Sequence, residues 1–206
     1  METLHLIAHG AFPPLRVRQV MARVLSFDAN WCVLRWSVEG AANLVVPPFA
    51  GTARQDGLWQ TTCFELFVKT DAAHVLRQAQ DERGLQTGSA HPEPVEGCAP
   101  TYSEFNFSPS ERWAAYDFTG YREGMTERPA GRAPVITPRR GGDVLIFDVA
   151  VPADMLPPRP WRYGLTAVLE ESDGTRSFWA PAHGGERPDF HDPACLAAGL
   201  AAPQRA

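Results

Sequence analysis

The sequence predicts an all-β protein, an antiparallel β-sandwich, and three observations carry that expectation. Apolar and polar residues alternate with a period of two along a series of short segments. Turn-forming clusters of Gly, Pro, Asn, Asp and Ser separate those segments, in keeping with 19 prolines and 17 glycines in 206 residues. Amphipathic helical spacing is almost absent between them, so nothing suggests the crossover helices of a βαβ protein. A chain of this length is enough for one sizeable core, and one domain spanning residues 1–206 is expected.

Taken in order, residues 17–27 and 31–38 form the first pair of strands, rich in Val, Leu and aromatics, with Asp28, Ala29 and Asn30 as the turn. Along residues 63–69, Phe64, Leu66 and Val68 fall on one face while Cys63, Glu65 and Phe67 fall on the other, because side chains alternate along a strand. Glu65 therefore shares its face with apolar neighbours. Residues 102–107 and 113–118 flank a Pro-containing loop, and here Tyr102, Glu104 and Asn106 alternate with Ser103, Phe105 and Phe107. Residues 144–151 follow the turn Gly141-Gly142-Asp143, and residues 163–170 run into Ser172-Asp173-Gly174 before extended structure resumes at 175–179.

One stretch departs from this pattern. Residues 75–100, VLRQAQDERGLQTGSAHPEPVEGCAP, have little apolar periodicity and too little apolar surface to offset their ordering entropy, which predicts a mobile insertion loop. The segment resembles the translated product of interspersed palindromic repeats found in some bacterial genomes. An insertion of this kind is tolerated because loop-closure entropy grows slowly with length. His91, Glu93 and Glu96 are accordingly expected to carry no function.

Charge and composition exclude several classes of function. The formal net charge is −5 and no Lys/Arg block occurs, so the electrostatic footprint of nucleic-acid binding is missing. No apolar run approaches the roughly 20 residues of a membrane helix, and the first residues show neither a basic n-region nor a small-residue cleavage site, which points to a cytoplasmic location. Cys32, Cys63, Cys98 and Cys195 lie far apart without a C-x-x-C pair and read as reduced thiols. No G-x-S-x-G, H-E-x-x-H, Walker-type loop or Cys–His signature marks a catalytic site.

Four segments together carry a resemblance: LWQTTCFELFV from Leu58, YSEFNFSPS from Tyr102, FDVAVP from Phe147 and RPDFH from Arg187. In this order they resemble the DOMON-like, family-9 carbohydrate-binding modules, over most of the chain from about Leu58 to Leu200 once the insertion is set aside. The resemblance implies a jelly-roll type sandwich with a sugar slot between two tryptophans, often beside structural calcium, and no catalysis. It implies Trp59 and Trp179 as the stacking pair, with Glu65, six residues after Trp59, and Arg176, three before Trp179, as hydrogen-bonding partners of sugar hydroxyls. Family members tend to carry an amide where Arg176 stands. The chemistry is self-consistent: a pyranose offers an apolar C–H face to aromatic planes and a rim of hydroxyls to polar groups.

Plainer readings stand beside this one. Trp31, Trp36, Trp113 and Trp161 are expected in packing roles, whereas Trp59, which follows the polar run Arg54-Gln55-Asp56-Gly57, is placed at a strand mouth. Glu65 has a structural reading as a half-buried carboxylate paired with Arg16, Arg35 or Arg162. Glu104, Asn106 and Asp117 line either a ligand-bearing concave face or a solvated one. Some DOMON-fold proteins hold haem through axial Met and His, for which Met125, Met155, His183 and His191 are the candidates. The run His183, Glu186, Asp189, His191 gathers potential metal ligands at a spacing that fits no familiar zinc motif. A third alternative is a structural or interaction domain with no small ligand.

Overall fold

A computed structural model describes residues 2–70 and 101–201. The expected insertion at 75–100, with Cys98, lies outside the described residues. Among the described residues twelve strands form: β1 (Thr3–Ala8), β2 (Gln19–Phe27), β3 (Trp31–Glu39), β4 (Cys63–Thr70), β5 (Tyr102–Phe107), β6 (Trp113–Phe118), β7 (Thr126–Glu127), β8 (Val135–Gly141), β9 (Val144–Pro152), β10 (Trp161–Glu170), β11 (Arg176–Ala180) and β12 (Ala198–Leu200). Their order is β7-β6-β5-β4-β10-β11-β1-β2-β3-β9-β8, with β12 beside the first half of β10. Every named strand pair is antiparallel.

This ribbon curls into a sandwich because β1 belongs to both halves. Residues Thr3 to Leu6 pair with β2, whereas Ile7 and Ala8 pair with Ala180 and Trp179 of β11. The two inner faces then meet across an aromatic centre: Trp36 of β3 lies 5.5 Å from Phe64 of β4, and Phe64 stacks on Phe147 of β9 at 4.2 Å. Trp36 also donates its indole N–H to the Thr166 carbonyl at 3.1 Å, so the buried nitrogen is satisfied. The period-two reading of residues 63–69 holds, with Phe64, Leu66 and Val68 in this core.

Turn chemistry explains the boundaries. Asp28 accepts from the amides of Asn30 (2.7 Å) and Trp31 (2.9 Å), which fixes the β2–β3 hairpin. Four strands escape the sequence reading: β1, β7, β8 and β12. β8 contains Pro138, Arg139 and Arg140 and is the edge beyond β9, where proline and charge are tolerated and the apolar alternation fades. β7 and β12 are too short to show a period. No helix among the described residues is long and apolar enough to cross a membrane.

Candidate functional site

The half of the sheet running from β6 to β11 has a second face, turned away from the core. Its floor is set by strand register. Glu65 sits between Asn106 of β5 and Thr166 of β10, and Glu104 sits between Phe67 of β4 and Tyr116 of β6. The segment after β11 returns across this face, and Phe190, Cys195 and Leu196 pack with Phe67, Val168 and Ala180. Between this segment, the loop after β6 and the turn before β4 lies a cavity of about 730 Å3, inside the range of roughly 300–1,000 Å3 common for small-molecule sites. Aromatic rings of Trp59, Phe67, Tyr116, Phe118, Phe178 and Phe190 line it, with Glu65, Glu104 and His191 as polar elements.

Trp59 owes its position to a 3-10 turn at Leu58–Gln60. Gly57 enters that turn in the left-handed region (φ 72°), a conformation that glycine adopts without a Cβ clash. Leu58 anchors the turn inside the protein and Trp59, beside it, is directed outward with 51% of its surface exposed. Arg176 does not line the cavity; its guanidinium donates to the Gln60 carbonyl at 3.2 Å and braces this turn.

Trp179 requires a correction. Its side chain lies in the sandwich core, 4% exposed, with the indole N–H donated to Ser177 at 2.9 Å. Strand parity is the reason: along β11, Ser177 and Trp179 face inward, and the aromatic that faces the cavity is Phe178. Trp59 and Glu65 are brought together in one cavity; Arg176 sits behind Trp59, and Trp179 is on the opposite face. Trp179 was implied by the resemblance alone; the alternation of β11 places Phe178 on the cavity face instead.

Burial governs the electrostatics of the floor. Glu65 is 2% exposed and accepts from the Thr166 hydroxyl at 3.3 Å; burial, reinforced by the charge of Glu104, pushes its carboxyl well above the usual range. Glu104 accepts from the Asn106 amide at 2.6 Å and is likewise raised, chiefly by burial. None of the arginines expected as partners meets Glu65: Arg35 pairs with Asp148 at 2.6 Å, Arg162 donates to the Leu196 carbonyl, and the Arg16 amide bonds Glu171. Asp117 faces the other side of β6, where it pairs with Arg128 at 2.6 Å.

His191 closes the site. Its Nδ1 lies 2.8 Å from the Tyr102 hydroxyl, which itself accepts from the Arg122 amide at 3.1 Å. The His191 Nε2 lies 3.7 Å from Glu104. Burial, with the charge of Arg122 second, draws His191 down to about 4, so the ring is neutral near pH 7. Arg122 is engaged by Asp189 at 2.7 Å, and Asp189 also accepts from Tyr121 and from the His191 amide. This network clasps the loop after β6 to the segment after β11. His191, Phe190 and Arg122 are cavity residues that no sequence period announces, because each lies in a loop.

The haem and metal candidates are dispersed. Met155 is in the core and His183 bonds the Ile7 carbonyl at 2.9 Å, so only Met125 and His191 of the four line the cavity. Among the described residues no three His, Cys, Asp or Glu side chains are close enough to hold a metal ion.

Comparison with known proteins agrees on architecture. No family model matches the chain, and no curated protein sequence matches it. Among solved structures, the chain is similar to a carbohydrate binding module family 9 from Caldicellulosiruptor kristjanssonii in complex with cellotriose, with 9% identity, a TM-score of 0.50 and coverage of 100% of this chain and 84% of that one. A carbohydrate binding module family 9 from Caldicellulosiruptor kristjanssonii in complex with glucose aligns with 8% identity, a TM-score of 0.47 and coverage of 98% and 86%. The fold is thus a family-9-like β-sandwich.

Proposed function

We propose that this protein is a non-catalytic carbohydrate-binding module whose sugar occupies the cavity on the outer face of the β6-to-β11 half-sheet. The observation that carries the reading is the pairing of an exposed Trp59 at the cavity wall with the buried carboxyl of Glu65 on its floor. An indole plane suits the C–H face of a pyranose, and a buried carboxyl, raised by burial above its usual range, offers hydrogen-bonding oxygens to hydroxyls. The modules that share the fold are described with glucose and cellotriose, which supports the same ligand class here. Trp59 and Glu65 remain the proposed contacts, Phe178 takes the place of Trp179, and Arg176 acts by holding the Trp59 turn.

The non-catalytic part of the reading is supported by the solved structure that shares the fold, which is described as a carbohydrate binding module. Titration with mono- and oligosaccharides, read by tryptophan fluorescence, tests the proposal. Saturable quenching abolished by Trp59→Ala supports it. Binding that survives Trp59→Ala refutes the site, and turnover lost on Glu65→Gln refutes the non-catalytic reading. An absorption spectrum addresses the haem alternative, since a Soret band removed by His191→Ala belongs to that reading alone.

A further inference from the structure

Among the described residues, acidic side chains outnumber basic ones around the cavity. Asp56, Glu65, Glu104 and Glu127 all line it, against one cation, Arg122, which Asp189 already neutralises at 2.7 Å. Glu127 is exposed and lies 3.3 Å from Arg54, and Asp56 accepts from the Tyr116 hydroxyl. The deepest carboxyl, Glu65, has Thr166 as its single side-chain hydrogen-bond partner among the described residues, although it is 98% buried and opens into the cavity. His191, the ring nearest Glu104, is uncharged near neutrality and supplies no counter-ion. The acidic groups do not converge as metal ligands do; they are spread around a wall of six aromatic rings. Acidic groups among π-faces form the surroundings that attract an organic ammonium, through ring quadrupoles and charge-assisted hydrogen bonds together.

We propose that the ligand is a cationic saccharide, an amino sugar with a free ammonium group, seated with that group against Glu65 and Glu104 and its ring on Trp59. The proposal rests on the carbohydrate reading above and narrows it to one class. An ammonium beside these carboxyls favours their ionised forms, so binding releases a proton from the floor. The groups facing that floor are Tyr102 and Asn106 from β5, Tyr116 from β6, Cys63 from β4, Thr166 from β10, Arg122 from the loop after β6, and Asp189 and His191 from the segment after β11. Glu65 and Glu104 themselves are both deeply buried, and burial raises both carboxyls above the usual range.

The experiment titrates the full chain with the β-1,4 trimer of glucosamine and with cellotriose, which differ in the 2-substituent, under conditions that protonate the amines. Calorimetry in two buffers of different ionisation enthalpy counts protons. The expected result is a preference of about tenfold for the glucosamine trimer, the difference between a charge-assisted and a neutral hydrogen bond. That preference should shrink with added salt, be accompanied by proton release, and be lost in Glu104→Gln. Equal or tighter binding of cellotriose, or a preference that survives both Glu65→Gln and Glu104→Gln, overturns the cationic assignment and leaves the carbohydrate reading standing. Binding of tetramethylammonium with neither sugar bound, or no binding of any of the three, overturns both.

Discussion

Trp59 and Trp179 show how far one residue type can diverge in role. Trp59→Ala is expected to leave stability within about 0.5 kcal/mol, as for an exposed side chain, while abolishing ligand quenching. Trp179→Ala opens a core cavity and should cost roughly 3–5 kcal/mol in chemical denaturation. The titrating residues of the floor make opposite contributions to stability as pH changes. Glu65, raised above its ordinary 4.5, binds more protons folded than unfolded, so its contribution is greatest below 4.5 and declines as pH rises through its folded value. Glu65→Gln should therefore gain stability relative to the natural protein as pH rises. His191, lowered from 6.5 to about 4, works the other way: its contribution is complete above 6.5 and is lost as pH falls towards 4. His191→Asn should flatten stability between those values, which pH-dependent thermal melts of the two variants will separate. Strand alternation placed Glu65 among apolar neighbours, but its role as a sugar contact, like that of Trp179, came from the family resemblance, and for Trp179 the parity of β11 points the side chain into the core. His191 stayed outside the proposed site because its partners, Tyr102 and Glu104, are about 90 residues away in the chain.

At the scale of an element, the segment after β11 holds its place through an absence. Gly164 on β10 faces the 3-10 turn Pro193–Cys195, and a Cβ there would meet the Cys195 carbonyl oxygen at 2.2 Å. Gly164→Ala should lift this segment, costing roughly 1–3 kcal/mol from overpacking and weakening ligand binding with it, because Phe190 and His191 are carried on the same segment. Stability measured beside a binding titration checks both effects. The long strands were legible in the sequence because each buries a face: β2, β3, β4, β5, β6, β9 and β10 were located within a few residues. β11 was located as well, whereas β1, β7, β8, β12 and the loop walls were not, since their conformation comes from partners distant in sequence and leaves no clear period.

For the whole molecule, closure depends on β1. Leu4 and Leu6 are buried, and the strand's two ends pair with different halves of the sandwich. Deleting residues 1–8 removes burial worth roughly 3–6 kcal/mol for the two leucines alone and exposes two strand edges, so the truncated chain should melt at markedly lower temperature and self-associate, as light scattering would register. The sandwich was foreseeable as a class from its strand count and turns; the sequence offered no signal for the crossing at β1, which depends on a six-residue strand divided between two partners. One further consequence follows from the cavity lying on the reverse of core-forming strands. Phe64, Leu66 and Phe105 are interleaved with Glu65, Phe67 and Glu104, so neighbouring positions of one strand belong to the core and to the cavity in turn. Odd-numbered positions of β4 and even-numbered positions of β5 and β6 can drift to accommodate a new ligand while the intervening residues keep the fold, which makes this half-sheet a surface on which specificity can be bred independently of folding.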